Sequence, residues 1–154
     1  FGMIFSIIII IAIIMTAFFV MRHFLSVNTC GEVGLFYNDL QDRIDVAYSG
    51  GITQDVFSGK LPSDLEYVCF GNMTRIGVTG QDDVIRVRLK EDLFGREGNN
   101  VFLYPVSKAC DSEFAYHTLK HVEVDRFFCS EIGDGEGSVK ISKGSKDALV
   151  LLSK

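Results

Sequence analysis

Phe1-Gly2-Met3-Ile4-Phe5-Ser6-Ile7-Ile8-Ile9-Ile10-Ile11-Ala12-Ile13-Ile14-Met15-Thr16-Ala17-Phe18-Phe19-Val20-Met21 contains no charged side chain. At about 1.5 Å per residue, a helix over this stretch is roughly 30 Å long, the thickness of one bilayer core. Thirteen of its residues are Ile, Phe or Val. At roughly 0.3–0.6 kcal/mol each, they contribute about 4–8 kcal/mol toward residence in lipid. Only Gly2, Ser6 and Thr16 relieve the apolar character, so the helix has no polar stripe. It must be covered on every side by lipid or by other helices. Arg22 and His23 close the zone and belong at headgroup level. The chain opens at Phe1 with no basic residue ahead of the apolar run, unlike a secretory signal peptide, which leads with Lys or Arg and is then removed. The expectation is a retained N-terminal segment, processed from a longer precursor.

Beyond Arg22 the helical period persists but changes character. Val33, Phe36, Tyr37, Leu40, Ile44 and Ala47 recur at spacings of three and four, separated by Glu32, Asn38, Asp39, Gln41, Asp42 and Arg43. This is an amphipathic helix that lays one stripe on a domain. Gly31 and Gly34 each cost about 1 kcal/mol relative to alanine, which predicts a bend or a short melted turn. Ser49-Gly50-Gly51 predicts a glycine cap. Residues 1–50 therefore read as one helix, hydrophobic over 1–25 and amphipathic over 26–50.

After Gly51 the texture becomes short alternating runs between turn residues, and 51–154 reads as a β-rich head. Strands are expected at Leu65–Phe70, at Val84–Leu89 after the Gln81-Asp82-Asp83 turn, and at Val101–Tyr104, which Pro105 stops. His121–Phe128 alternates, with Val122 and Val124 on one face and Glu123 and Asp125 on the other. Ser138–Ile141 and Ala148–Leu152 form a terminal hairpin, and Ala109–Tyr116 suits a short helix. The fold class is α+β: a long N-terminal hydrophobic helix followed by an antiparallel sheet of about five to seven strands.

The net charge of −5 lies wholly after Met21. An acidic surface argues against nucleic acid and suits a solvated exterior. Cys30, Cys69, Cys110 and Cys129 all follow the apolar run, and an even number beyond a membrane-crossing segment favours an extracytoplasmic domain with two disulfides. Three connectivities are open. The strand positions of Cys69 and Cys129 favour their pairing, which leaves Cys30 with Cys110. No CxxC pair exists to support a zinc site. His117 and His121 have a ligand spacing only if they share a helix, and no HExxH motif accompanies them. Asp134-Gly135-Glu136-Gly137 lacks the ligand ladder of a calcium loop and reads as a solvated turn. Asn72-Met73-Thr74 is a complete N-glycosylation acceptor. No GxSxG or GxxxxGK[ST] signature occurs, so no catalytic residue, metal or cofactor is expected.

The start Phe1-Gly2-Met3-Ile4-Phe5-Ser6 with its following isoleucines, the amphipathic continuation and the β head together resemble type IV pilin-like proteins. The Ile-rich start, with Phe5 where many bacterial relatives carry glutamate, resembles archaeal pilins and archaellins more than bacterial ones. The resemblance is specific in architecture over residues 1–48 and looser over the head. It implies that a prepilin peptidase removes a basic leader, and that an ATPase-driven machine draws subunits from the membrane into a helical filament at the cell surface. With Phe5 in place of an acid, register would come from apolar packing. The bulky residues Phe1, Phe5, Ile8, Ile11, Met15, Phe18 and Phe19 are the candidate polymerisation core. The reading from another class is a membrane-anchored extracytoplasmic binding or enzymatic domain that never polymerises.

Overall fold

A computed structural model describes residues 2–50, 53–74 and 77–154. Helix α1 (Gly2–Gly50) spans 49 residues, about 70 Å at the usual rise. The head adds strands β1 (Thr53–Lys60) and β2 (Tyr67–Phe70), helix α2 (Gln81–Asp92), and strands β3 (Val101–Tyr104), β4 (Tyr116–His117), β5 (Val122–Glu123), β6 (Phe128–Glu131), β7 (Glu136–Lys143) and β8 (Val150–Ser153). The class is α+β, as the alternation of periods implies.

The head holds two four-stranded sheets instead of one, in orders β1-β7-β8-β5 and β4-β3-β2-β6. All pairings are antiparallel except β5 with β8. The expected terminal hairpin is the β7–β8 pair, with Ile141 opposite Leu152. The first sheet carries α1 on its face through β1, β7 and β8. Val33, Phe36, Tyr37, Leu40, Ile44 and Ala47 are all buried there, and each large side chain among them contributes about 1.5–3 kcal/mol of burial. Phe36 meets Phe57 edge-on at 5.5 Å. The close approach needs Gly59: a Cβ there would lie 2.8 Å from both the Phe36 and the Phe57 ring.

Four further expectations are corrected. Helix α1 runs through Gly31 and Gly34 without interruption. Cys30 is bonded to Cys110 and Val33, Phe36 and Tyr37 are buried in the next turn, so tertiary packing outweighs the glycine cost of about 1 kcal/mol each. Val84–Leu89 is the middle of α2, not a strand. Ile85, Leu89 and Leu93 are buried at spacings of four while Val84 and Val87 are exposed, and Asp82 and Asp83 supply the negative charge a helix start favours. The alternation over His121–Phe128 yields only the two-residue β5, followed by β6 further along. The short helix expected over Ala109–Tyr116 is a single 3-10 turn, Ser112–Ala115. Gly51 of the expected glycine cap lies outside the described residues.

Candidate assembly surface

The apolar half of α1 is where the chain departs from an ordinary folded domain. From Ile4 to Arg22 the mean hydropathy is 3.0 and none of the segment is buried, so it is long and apolar enough to cross a membrane. Its two hydroxyls return to the helix: Ser6 Oγ donates to the Gly2 carbonyl at 3.0 Å and Thr16 Oγ1 to the Ala12 carbonyl at 2.7 Å. Neither side chain therefore presents an unpaired donor to an apolar neighbour. The Arg22 guanidinium sits 5.1 Å from the Phe18 ring centre, a cation–π contact at the polar boundary.

Phe5, Ile8, Ile11, Met15, Phe18 and Phe19 are all exposed; Phe1 lies outside the described residues. At roughly 100° per residue these six fall within an arc of about 140° and form one ridge. A different face carries a shallow, open groove lined by Ile9, Ala12, Ile13, Thr16, Ala17 and Val20, with Met21 at its end. The small residues Ala12, Thr16 and Ala17 stand lower there than their large neighbours.

The other half of α1 is held by the head at three levels. Cys30 is bonded to Cys110 across 80 residues of sequence. In the middle, the Tyr37 hydroxyl donates to the Phe114 carbonyl at 2.8 Å, and the ring stacks on His117 at 4.6 Å. Burial pushes the Tyr37 phenol well above its ordinary range and lowers the His117 imidazole below its own. Further along, Gln41 Oε1 accepts from the Lys120 backbone N–H at 2.9 Å. His121 Nδ1 lies 3.0 Å from Asp45 Oδ1, and its ring stacks on Tyr48 at 4.1 Å. The His121 contact and the Gln41 amide hold the Asp45 carboxyl below its usual value. Lys143 covers the opposite end, with its ammonium 4.5 Å from the Tyr48 ring centre. Tyr37, Gln41, Asp45 and Tyr48 form a second stripe beside the apolar one, and residues 117–121 run along it.

The two histidines thus serve two separate tyrosine stacks and do not converge. Cys69 and Cys129 are bonded and lie directly opposite each other on β2 and β6. Asp134 and Gly135 form a two-residue turn at φ 52° and 75°, closed by paired backbone hydrogen bonds between Gly133 and Glu136. Among the described residues no group of three potential ligands gathers around a point. Three open grooves on the head, of about 310, 540 and 520 Å³, are lined by no histidine. Asn72 stands exposed just beyond β2. Comparison with known proteins yields no match to a family profile, a curated protein or a solved structure.

The groove was not apparent from the sequence, because Ala and Thr add little hydrophobic weight. Its only signal was the four-residue interval between Ala12 and Thr16 amid large neighbours. The Tyr37-Gln41-Asp45-Tyr48 stripe was masked by the stronger apolar stripe next to it.

Proposed function

We propose that this chain is a pilin-like structural subunit of an extracellular helical filament, held in the membrane by the apolar half of α1 and polymerised through that same half. The observation that carries the proposal is the division within one unbroken helix. Its second half is fastened to the head by a disulfide and a buried stripe, while Ile4–Met21 of its first half is apolar on every face and, among the described residues, covered by nothing in the monomer.

A subunit leaving lipid cannot expose about 30 Å of isoleucine to water. Identical helices can replace the lipid without any change in the segment, because both environments are apolar. The bulky ridge of one copy seating in the groove of the next gives an open contact that repeats without closing. The acidic head then forms the solvated exterior, and its two disulfides suit an oxidising compartment. Prepilin peptidase and an assembly ATPase are the partners the resemblance implies.

The test is to replace residues 4–21 by a leucine helix of equal length. Such a segment still inserts in lipid and keeps the head folded, but it has neither ridge nor groove. Loss of filaments with retention of the chain in the membrane supports the proposal. Undiminished filaments sink it, and full function of a monomeric variant transfers the role to the head as a tethered binding or enzymatic domain.

A further inference from the structure

The geometry points to Asn72 as a glycan attachment site that is presented by the folded head. A matching three-residue motif is weak by itself. Here the fold adds three independent observations.

The first is exposure of both polar positions together. Asn72 and Thr74 are exposed while Met73 between them is fully buried. Met73 is pinned further by its carbonyl, which accepts from Arg86 Nη1 of α2 at 2.9 Å. The motif is therefore held with its two recognition side chains out and its spacer in. The second is the route by which the chain arrives there. Gly71, at φ 113°, turns the chain sharply off the end of β2. A Cβ at this position would lie 3.0 Å from the Phe127 Cα, so only glycine fits. The third is the hydrogen bonding of the carboxamide. Asn72 Oδ1 accepts from the Thr74 backbone N–H at 2.8 Å and from Thr74 Oγ1 at 2.7 Å. Neither contact uses the nitrogen, which lies on an exposed side chain and, among the described residues, has no hydrogen-bond partner.

That arrangement has chemical content. An amide nitrogen is a poor nucleophile because its lone pair is delocalised into the carbonyl. Two donors on the oxygen stabilise the imidate-like charge that develops as the nitrogen gives up a proton, the same principle by which preorganised donors stabilise an oxyanion. The co-reactant is a glycan activated as a polyprenyl phosphate or diphosphate. A bond forms between Asn72 Nδ2 and the anomeric carbon, and the bond from that carbon to the phosphate oxygen breaks. The phosphate leaves with the electron pair, and the displaced amide proton passes to base. No oxidant or reductant is needed.

The site also spares the assembly surface. Asn72 follows β2 in the sheet that pairs with neither β1 nor β7, and α2 packs beside it through Arg86. Helix α1 lies mainly against β1, β7 and β8, and Tyr37 reaches Phe114 and His117 beside the second sheet. A bulky glycan at Asn72 therefore leaves the apolar half of α1 uncovered. The inference rests on the extracytoplasmic placement of the head, not on polymerisation.

The experiment is a non-reducing tryptic digest of the chain from its producing cells, read by mass spectrometry. The peptide Leu61–Arg75 contains both Asn72 and Cys69, so one species reports both modifications. The expected result is that peptide cross-linked through Cys69 to the Cys129 peptide and carrying a glycan mass on Asn72. Asn72→Gln and Thr74→Ala should lose the added mass with the cross-link intact, and Thr74→Ser should keep it. A cross-linked peptide with bare Asn72 overturns this inference alone. A bare peptide with free thiols overturns it together with the extracytoplasmic placement.

Discussion

Replacing Phe36 by alanine removes the side chain that fastens α1 to its sheet. Phe36 is 2% exposed, packs edge-on to Phe57 at 5.5 Å and to Tyr37 at 6.0 Å, and occupies the space that Gly59 leaves open. Truncation of a buried Phe typically costs about 3–5 kcal/mol, lost transfer energy and cavity combined. For a head of this size each kcal/mol shifts Tm by roughly 4–8 °C, so a fall of about 12–40 °C is expected in detergent-solubilised protein followed by circular dichroism. The companion variant Gly59→Ala places a methyl group 2.8 Å from two aromatic rings and should cost about 1–3 kcal/mol through overpacking. Combining them gives the sharper test. With Phe36 gone, one of the two clashes disappears and the new methyl partly fills the void. The double variant should therefore be more stable than the sum of the single losses predicts, by more than the ~0.5 kcal/mol that separates coupled from independent sites. Strict additivity, or a Tm loss under 5 °C for Phe36→Ala, would refute the packing argument.

Ile11→Asp should abolish filaments while leaving the head's Tm unchanged, because a charge at the centre of an apolar helix costs about 3 kcal/mol in lipid and Ile11 is exposed, far along α1 from the docked stripe; electron microscopy with thermal melts checks both. Cys30→Ala with Cys110→Ala removes a bond closing 80 residues and should destabilise the docked helix by about 2–5 kcal/mol, measured by urea titration. Burial lowers the His117 pKa from 6.5 in the folded head. The unfolded chain therefore binds a proton first as pH falls, so stability should decline from about pH 6.5 down to the lower folded value. His117→Phe, which can keep the stack on Tyr37, should flatten that part of the pH–stability profile.

How much of this was legible beforehand depended on which physical signal was strongest locally. The stripe from Val33 to Ala47 was legible because six apolar residues at helical spacing admit one face, and all six are buried. Strands β2 and β3 were legible from short apolar runs ended by Gly71 and Pro105. Helix α2 was misread because Ile85, Val87 and Leu89 alternate as a strand would; the helix shows only when Leu93 joins Ile85 and Leu89 at intervals of four. Strand β1 carries little local signal, because Val56 and Phe57 are its only large apolar residues and only Phe57 is buried. The division into two sheets depends on long-range register, such as Gly59 opposite Gly137, which no local pattern encodes. On the apolar half of α1 the large exposed residues were legible, but the shallow groove on the other face was not.

The most direct test of the central claim is cryo-electron microscopy of material sheared from the surface of producing cells, with mass spectrometry of the same fraction. The account predicts helical filaments built from this chain, with the apolar halves of α1 packed ridge into groove along the axis and the heads outside. Finding the chain only as a monomer in the membrane fraction, with no filament containing it, would contradict the account.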